Sequence, residues 1–191
     1  MPTITTIVKT KDHYGIGSIT CGPKILSDGV VFFPPNTFGV LQALSHESNN
    51  QRVMDLFRNG GTFDNIHDGD EKSQWRQYLF FQDDNIITYT GERIKNVYEN
   101  YDNNIIVLAN SIGSKQYGDS FYNSLKRNYS DDLVDCIIKS LKENVHVGFD
   151  LRCEHLGISS TTVYVAVYER GGKNIFSKEI YSIDSEPIDK L

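Results

Sequence analysis

Thr3-Ile4-Thr5-Thr6-Ile7-Val8-Lys9 places a β-branched side chain at nearly every position. Branching at Cβ stiffens χ1 and suits a pleated sheet, so this stretch reads as a strand. Lys11-Asp12-His13 supplies a turn, and Tyr14 to Cys21 continues as a second strand, which makes the pair a hairpin. Working outward, Val30-Val31-Phe32-Phe33 is a short apolar strand closed by Pro34-Pro35. The period then changes. Val40, Leu41, Leu44, Val53, Met54, Leu56 and Phe57 recur at helical spacing, which predicts a helix over 38–58. It is interrupted by a polar patch at 45–52 and stopped by Asn59-Gly60-Gly61.

The remainder repeats the alternation of strands and helices. Residues 62–73 are polar and acidic and read as a loop or short helix. Segments 76–82 and 85–90 form a second hairpin around Asp83-Asp84-Asn85, and 104–109 is a nearly all-apolar strand. A helix is expected over 115–127. Another follows, capped by Ser130, with Asp131 and Asp132 at its start and Lys139 and Lys142 near its end to complement the macrodipole. Residues 160–168 form a strong strand, and Gly171-Gly172 turns into a last strand over about 174–181. The tail 182–191 reads as loose surface chain. Hairpins imply antiparallel pairing, and the strands separate two groups of helices. Two stacked, mainly antiparallel sheets, each covered by a helix layer, would bury every apolar face. The expected class is therefore α+β, a four-layer αββα sandwich, with helices 38–58 and 115–143 on opposite outer faces.

Composition sets the boundaries. The 191 residues and 21.7 kDa fit a single domain, 1–191. A net charge of −6 and a pI near 5.3 argue against a surface built for nucleic acid. No apolar run is long enough to span a bilayer, so no membrane association is expected. Residues 1–8 lack a basic region followed by an apolar block, so they do not read as a signal peptide. Cys21, Cys136 and Cys153 are odd in number, far apart and without CxxC spacing. On that basis a disulfide framework and structural zinc are not expected, and a reducing cytoplasm is. The five histidines have no metal-ligand spacing, and Gly15-Ile16-Gly17 lacks the third glycine and helix of a dinucleotide fingerprint. Asp64 to Glu71 fails as a calcium loop, because Ile66 and Trp75 stand where ligands are needed; it reads as a solvated acidic turn. No metal and no cofactor is expected.

Several short stretches carry a resemblance. They are Ile7-Val8, Gly39-Val40-Leu41-Gln42-Ala43, Arg76-Gln77, Thr90-Gly91, Asn110 and Gly148-Phe149-Asp150-Leu151-Arg152, in that order over roughly 4–168. In order and spacing the chain resembles the domain-of-unknown-function 1028 family, grouped with the N-terminal-nucleophile (Ntn) hydrolases. That family usually runs from its Gly-Gly-Asp-x-Arg-Gly stretch directly into a strand, whereas here Cys153 to Ile158 intervene. The resemblance implies an αββα fold and hydrolysis of a small amide or peptide bond by the hydroxyl of a mature N-terminal residue. The alternative is a catalytically silent member acting as a binding or assembly module.

In an Ntn enzyme the nucleophile's own α-amino group, with an ordinary pKa of about 7.7–8.0, serves as general base. Thr3, Thr5 and Thr6 are the hydroxyl candidates near the start, and Met1-Pro2 would have to be lost to expose Thr3. Thr3 is the favoured nucleophile, with Thr5 two positions on along the same strand face. Asn110 is expected to hold the oxyanion or substrate. Asp150 and Arg152 are expected to flank the pocket, and Arg76 to reach a substrate anion. Proteasome-type members carry an acid and a lysine at fixed spacings after the nucleophile; counted from Thr3 these fall on Ile19 and Pro35, so that branch is set aside. A homo-oligomer, expected to be a dimer, follows from the relatives' habit and from the apolar content of 40–57 and 117–125.

Overall fold

Every residue of the first strand is buried, because its two faces serve two different cores. The computed structural model describes residues 3–22, 26–33, 37–43, 47–82 and 85–191. In chain order the elements are β1 (Ile4–Lys9), β2 (His13–Thr20), β3 (Val30–Phe33), β4 (Thr37–Gln42), α1 (Glu47–Arg58), β5 (Gln77–Gln82), β6 (Asn85–Thr90), β7 (Tyr98–Tyr101), β8 (Ile105–Ala109), α2 (Lys115–Asn128), α3 (Leu133–Asn144), β9 (Thr162–Glu169) and β10 (Asn174–Tyr181). They make a six-stranded sheet in the order β10-β9-β2-β1-β8-β7 and a four-stranded sheet in the order β3-β4-β5-β6. Neighbouring strands are antiparallel throughout.

Strand alternation then sorts the side chains into three apolar layers. Ile4 and Val8 pack with Val107, Val163, Val165, Phe121, Leu125, Ile137 and Leu141, between the large sheet and α2 and α3. Ile7 points the other way and meets Ile16, Phe38, Val40, Leu79, Phe81, Ile106 and Leu108 between the two sheets. Leu41, Val53, Tyr78 and Phe80 fill the third layer, between the small sheet and α1. The molecule is thus an α+β, four-layer sandwich with its helix groups on opposite outer faces.

Gly15 and Gly17 let α3 lie close against β2. A Cβ on Gly17 would sit 2.5 Å from Ile137 Cγ2, and one on Gly15 would sit 2.7 Å from Ile137 Cδ1. The Gly-x-Gly spacing that resembled part of a nucleotide loop is therefore a helix-packing site.

Four readings need correction. Residues 37–42 are strand β4, not the start of a helix over 38–58; the helix begins at Glu47. Both faces of β4 are buried, so its apolar residues run on without alternation, and periodicity cannot separate such a strand from helix. Leu44 to His46 lie outside the described residues. Strand β7 went unread because Tyr98-Glu99-Asn100-Tyr101 is a mostly polar edge strand. The tail is docked rather than loose: Ile188 is buried in the helix-side core, and Lys178 donates to the carbonyls of Lys190 and Leu191. In addition, α3 is capped by the Asp132 side chain, which accepts from the Asp135 amide, in place of Ser130. The apolar residues that suggested an oligomer, among them Val40, Leu41, Val53, Phe121 and Leu125, are buried within the chain itself.

Overpacking a well-filled core costs about 1–3 kcal/mol. Gly17→Val should therefore lower unfolding stability by roughly that amount in urea titrations, with the far-ultraviolet spectrum of the native state unchanged.

Candidate active site

The layer between the sheets is apolar at one end and polar at the other. Continuing the inward-facing positions past Ile7, Ile16, Val40, Leu79 and Leu108 gives Thr3, Thr5, Ser18, Thr20, Gln42, Gln77, Asn110 and Thr162, all buried. Buried polar groups require partners, and nearly all of these have them.

Gln77 Nε2 donates to the Ala109 carbonyl at 3.2 Å and to Thr90 Oγ1 at 3.1 Å, which fixes the direction of its amide. Its Oε1 then accepts from Asn110 Nδ2 at 2.6 Å and from Gln42 Nε2 at 2.9 Å. Gln42 Nε2 also approaches the Leu108 carbonyl at 3.3 Å. With its NH2 so committed, Gln42 keeps a buried Oε1 with no partner among the described residues. The next residue, Ala43, is buried and held at φ 54°, a left-handed conformation that alanine rarely adopts.

Thr3 extends β1 by one residue. Its amide donates to the Ile19 carbonyl at 2.7 Å, and its carbonyl accepts from the Asn110 amide at 2.7 Å. The Thr3 hydroxyl donates to Asp150 Oδ2 and accepts from Arg152 Nη2 at 2.6 Å. Asp150 is fully buried. It accepts at Oδ2 from the Cys21 amide at 3.0 Å and from Arg152 Nη2 at 2.7 Å, and at Oδ1 from the Arg152 amide and Nε at 2.9 and 3.0 Å. Arg152 remains one-third exposed, so the network opens toward solvent on that side. The Thr3 hydroxyl is thus held between a buried carboxylate and a guanidinium.

The sequence-chosen residues divide into three groups. Thr3, Asp150 and Arg152 are in direct contact. Asn110 lies beside Thr3 through the backbone, but its side-chain amide is turned to Gln77. Thr5 shares the Thr3 face, as strand alternation requires, and its hydroxyl is 2.8 Å from Ser18 Oγ. Arg76 does not join them. It precedes Gln77 and so projects from the opposite face of the small sheet, where Nε meets Asp70 at 3.0 Å. That acidic turn is not simply solvated. The Asp70 side chain is 6% exposed; this desolvation alone would raise its carboxyl, but the Arg76 hydrogen bonds, the Lys72 amide and the charges of Arg76 and Arg52 outweigh it and hold the group below its usual value. Arg76 is therefore an anchor for the segment after α1.

Gln42 and Gln77 were named only within matching stretches, and Ser18 and Thr20 not at all. Their signal was available: each is a polar residue at an inward period-2 position of an otherwise apolar strand.

Cys21 and Cys153 form a disulfide, contrary to expectation, with a Cα–Cα distance of 5.6 Å. Their separation of 132 residues concealed a contact that the fold creates. Cys21 follows β2, and Cys153 lies on the segment that returns Asp150 and Arg152 to the end of β1. Such bonds persist in oxidising compartments, so the cysteine count no longer supports a cytoplasmic location. No helix among the described residues is long and apolar enough to cross a membrane. None of the described residues forms a group of metal-ligating side chains.

No protein-family model and no curated protein matches the sequence. Comparison of structures places the chain in the class of α+β sandwiches represented by the domain-of-unknown-function 1028 proteins. One of these is protein SPO2555 from Silicibacter pomeroyi, whose crystal structure matches with a TM-score of 0.75 and 12% identity over 100% of this chain and 83% of that one. At this identity the likeness is one of fold, and it is the fold that the short sequence matches implied.

The remaining thiol, Cys136, is buried, and burial pushes it up to about 11. Thiol titration without reductant should find no reactive cysteine in the native protein and one after unfolding. Reduction before unfolding should reveal all three. Three thiols without reductant would remove the disulfide.

Proposed function

We propose that this protein is an Ntn-type hydrolase of a small amide bond, with Thr3 as nucleophile once Met1 and Pro2 are removed. The contact of the Thr3 hydroxyl with Asp150 and Arg152 carries this reading. A freed Thr3 amine would take the hydroxyl proton as Oγ attacks the substrate carbonyl. The same proton would then pass to the departing amine, leaving an acyl ester that water cleaves. Arg152 would stabilise charge on Oγ, and Asp150 would hold both Oγ and Arg152 in register. The hydrogen bond from the Thr3 nitrogen to Ile19 fixes the direction of that amine.

A second reading has its own observation. The Thr3 hydroxyl is fully buried and doubly bonded within the chain, which is also what a purely structural threonine requires. Under this reading the protein is a silent binding or assembly module. A homodimer stays within either reading through the edge strand β10, where Ile175 and Tyr181 are exposed on an open sheet edge.

Intact mass of protein taken from its native cells, followed by exposure to a β-lactone acylating agent, separates the two readings. The hydrolase reading expects loss of Met1-Pro2 and one acyl adduct, absent in Thr3→Ala and formed about 10²-fold more slowly in Asp150→Asn. A chain that retains Met1 and Pro2 and takes no adduct leaves the silent module standing.

A further inference from the structure

A cavity of about 520 Å³ opens beside Asn110, lined by Trp75, Glu92, Arg93, Ile94, Lys95, Asn110 and Ser111. Its volume lies in the range of small-molecule sites. Its wall is held in place by the backbone. The Arg93 amide donates to the Gln74 carbonyl at 3.0 Å, the Ile94 amide to the Gly91 carbonyl at 3.0 Å, and the Ser111 amide to the Lys95 carbonyl at 3.1 Å. Ser111 adopts φ 56°, so this corner is formed at a conformational cost.

The lining has three chemistries. Trp75 offers an indole face, 38% exposed, with Ile94 as the other apolar surface. The Arg93 guanidinium lies over that ring, 5.4 Å from its centroid. Among the described residues, no carboxylate pairs with Arg93 or Lys95. Two unneutralised cations against the single acid Glu92 make this a locally positive cavity in a chain of net charge −6. The third chemistry is polar and neutral: the Ser111 hydroxyl, which donates to Asn110 Oδ1 at 3.3 Å and keeps its lone pairs for a donor.

We propose that this cavity binds a singly charged carboxylate attached through an amide to a flat apolar group, that is, an N-acylated amino acid. Arg93 and Lys95 take the carboxylate, Trp75 stacks the acyl group, and Ser111 meets the amide. Glu92 disfavours a second negative charge on the ligand. As a substrate subsite the proposal rests on the hydrolase reading, because Asn110 joins the cavity to Thr3 through its backbone. As a binding site it stands alone.

Trp75 is the chain's single tryptophan, so its emission reports occupancy directly. The probe is hippurate (N-benzoylglycine), compared with its uncharged amide, benzoylglycinamide, and with sulfate. Calorimetry gives the same constants without relying on the indole. Hippurate should shift the Trp75 emission saturably and bind at least tenfold more tightly than the amide, while sulfate should fail to displace it. Arg93→Gln and Lys95→Gln should each weaken hippurate about tenfold, the scale of a lost charged contact. Thr3→Ala should bind hippurate as the unaltered protein does, so failure of the nucleophile and failure of this site are read separately. Equal affinity for hippurate and its amide, no saturation, or indifference to both substitutions would overturn the proposal.

Discussion

The buried carboxylate of Asp150 is the constraint on which the working end of the molecule depends. A carboxylate withdrawn from water needs close, hydrogen-bonded compensation. Here it comes from the Thr3 hydroxyl and the Cys21 amide, 147 and 129 residues away in sequence, and from the guanidinium of the nearby Arg152. Satisfying one ion therefore fixes the start of β1, the exit of β2 and the segment after Gly148 relative to each other. The Cys21–Cys153 disulfide closes the same junction covalently. In the chain-entropy model a loop this long stabilises by about 4–5 kcal/mol through its effect on the unfolded state. The ion pair and the disulfide act on one place, which is also where the candidate nucleophile lies.

The rest of the fold positions that junction. Three apolar layers hold four structural layers together, and the layer between the sheets changes character along its length. Its apolar end, around Phe38 and Phe81, supplies burial. Its polar end carries the Gln42–Gln77–Asn110 amide ladder, whose directions are set by the Ala109 carbonyl. Among the described residues the ladder is satisfied except at Gln42 Oε1, and its last member, Asn110, also lines the Trp75 cavity. Interiors made this way sacrifice apolar burial for defined geometry, a pattern expected of binding sites more than of plain cores.

Much of this was legible in the residues. The β-branched run at 3–9, the hairpin signals and the amphipathic stripe of α3 led to the layered architecture. Asp150 and Arg152 were singled out within the Gly148-Phe149-Asp150-Leu151-Arg152 stretch that carries the resemblance. What could not be read has physical reasons. Strand β4 is buried on both faces and so mimics helix. The disulfide depends on a contact made only after the 148–157 segment folds back. Arg76 was expected to reach a substrate anion, yet its neighbour Gln77 is the residue that faces the site, since one residue along a strand means the opposite face. The Trp75 cavity draws on three separate stretches, none with a motif of its own.

The central claim is that the Asp150 charge, rather than the packing around it, orders this junction. Hydrogen exchange of Asp150→Asn, an almost isosteric change, tests it most directly. The account predicts faster exchange confined to the amides of Cys21, Arg152 and Cys153, with Ile7 and Leu108 in the adjoining strands unchanged. Protection at Cys21 and Arg152 equal to that of the unaltered protein would contradict it.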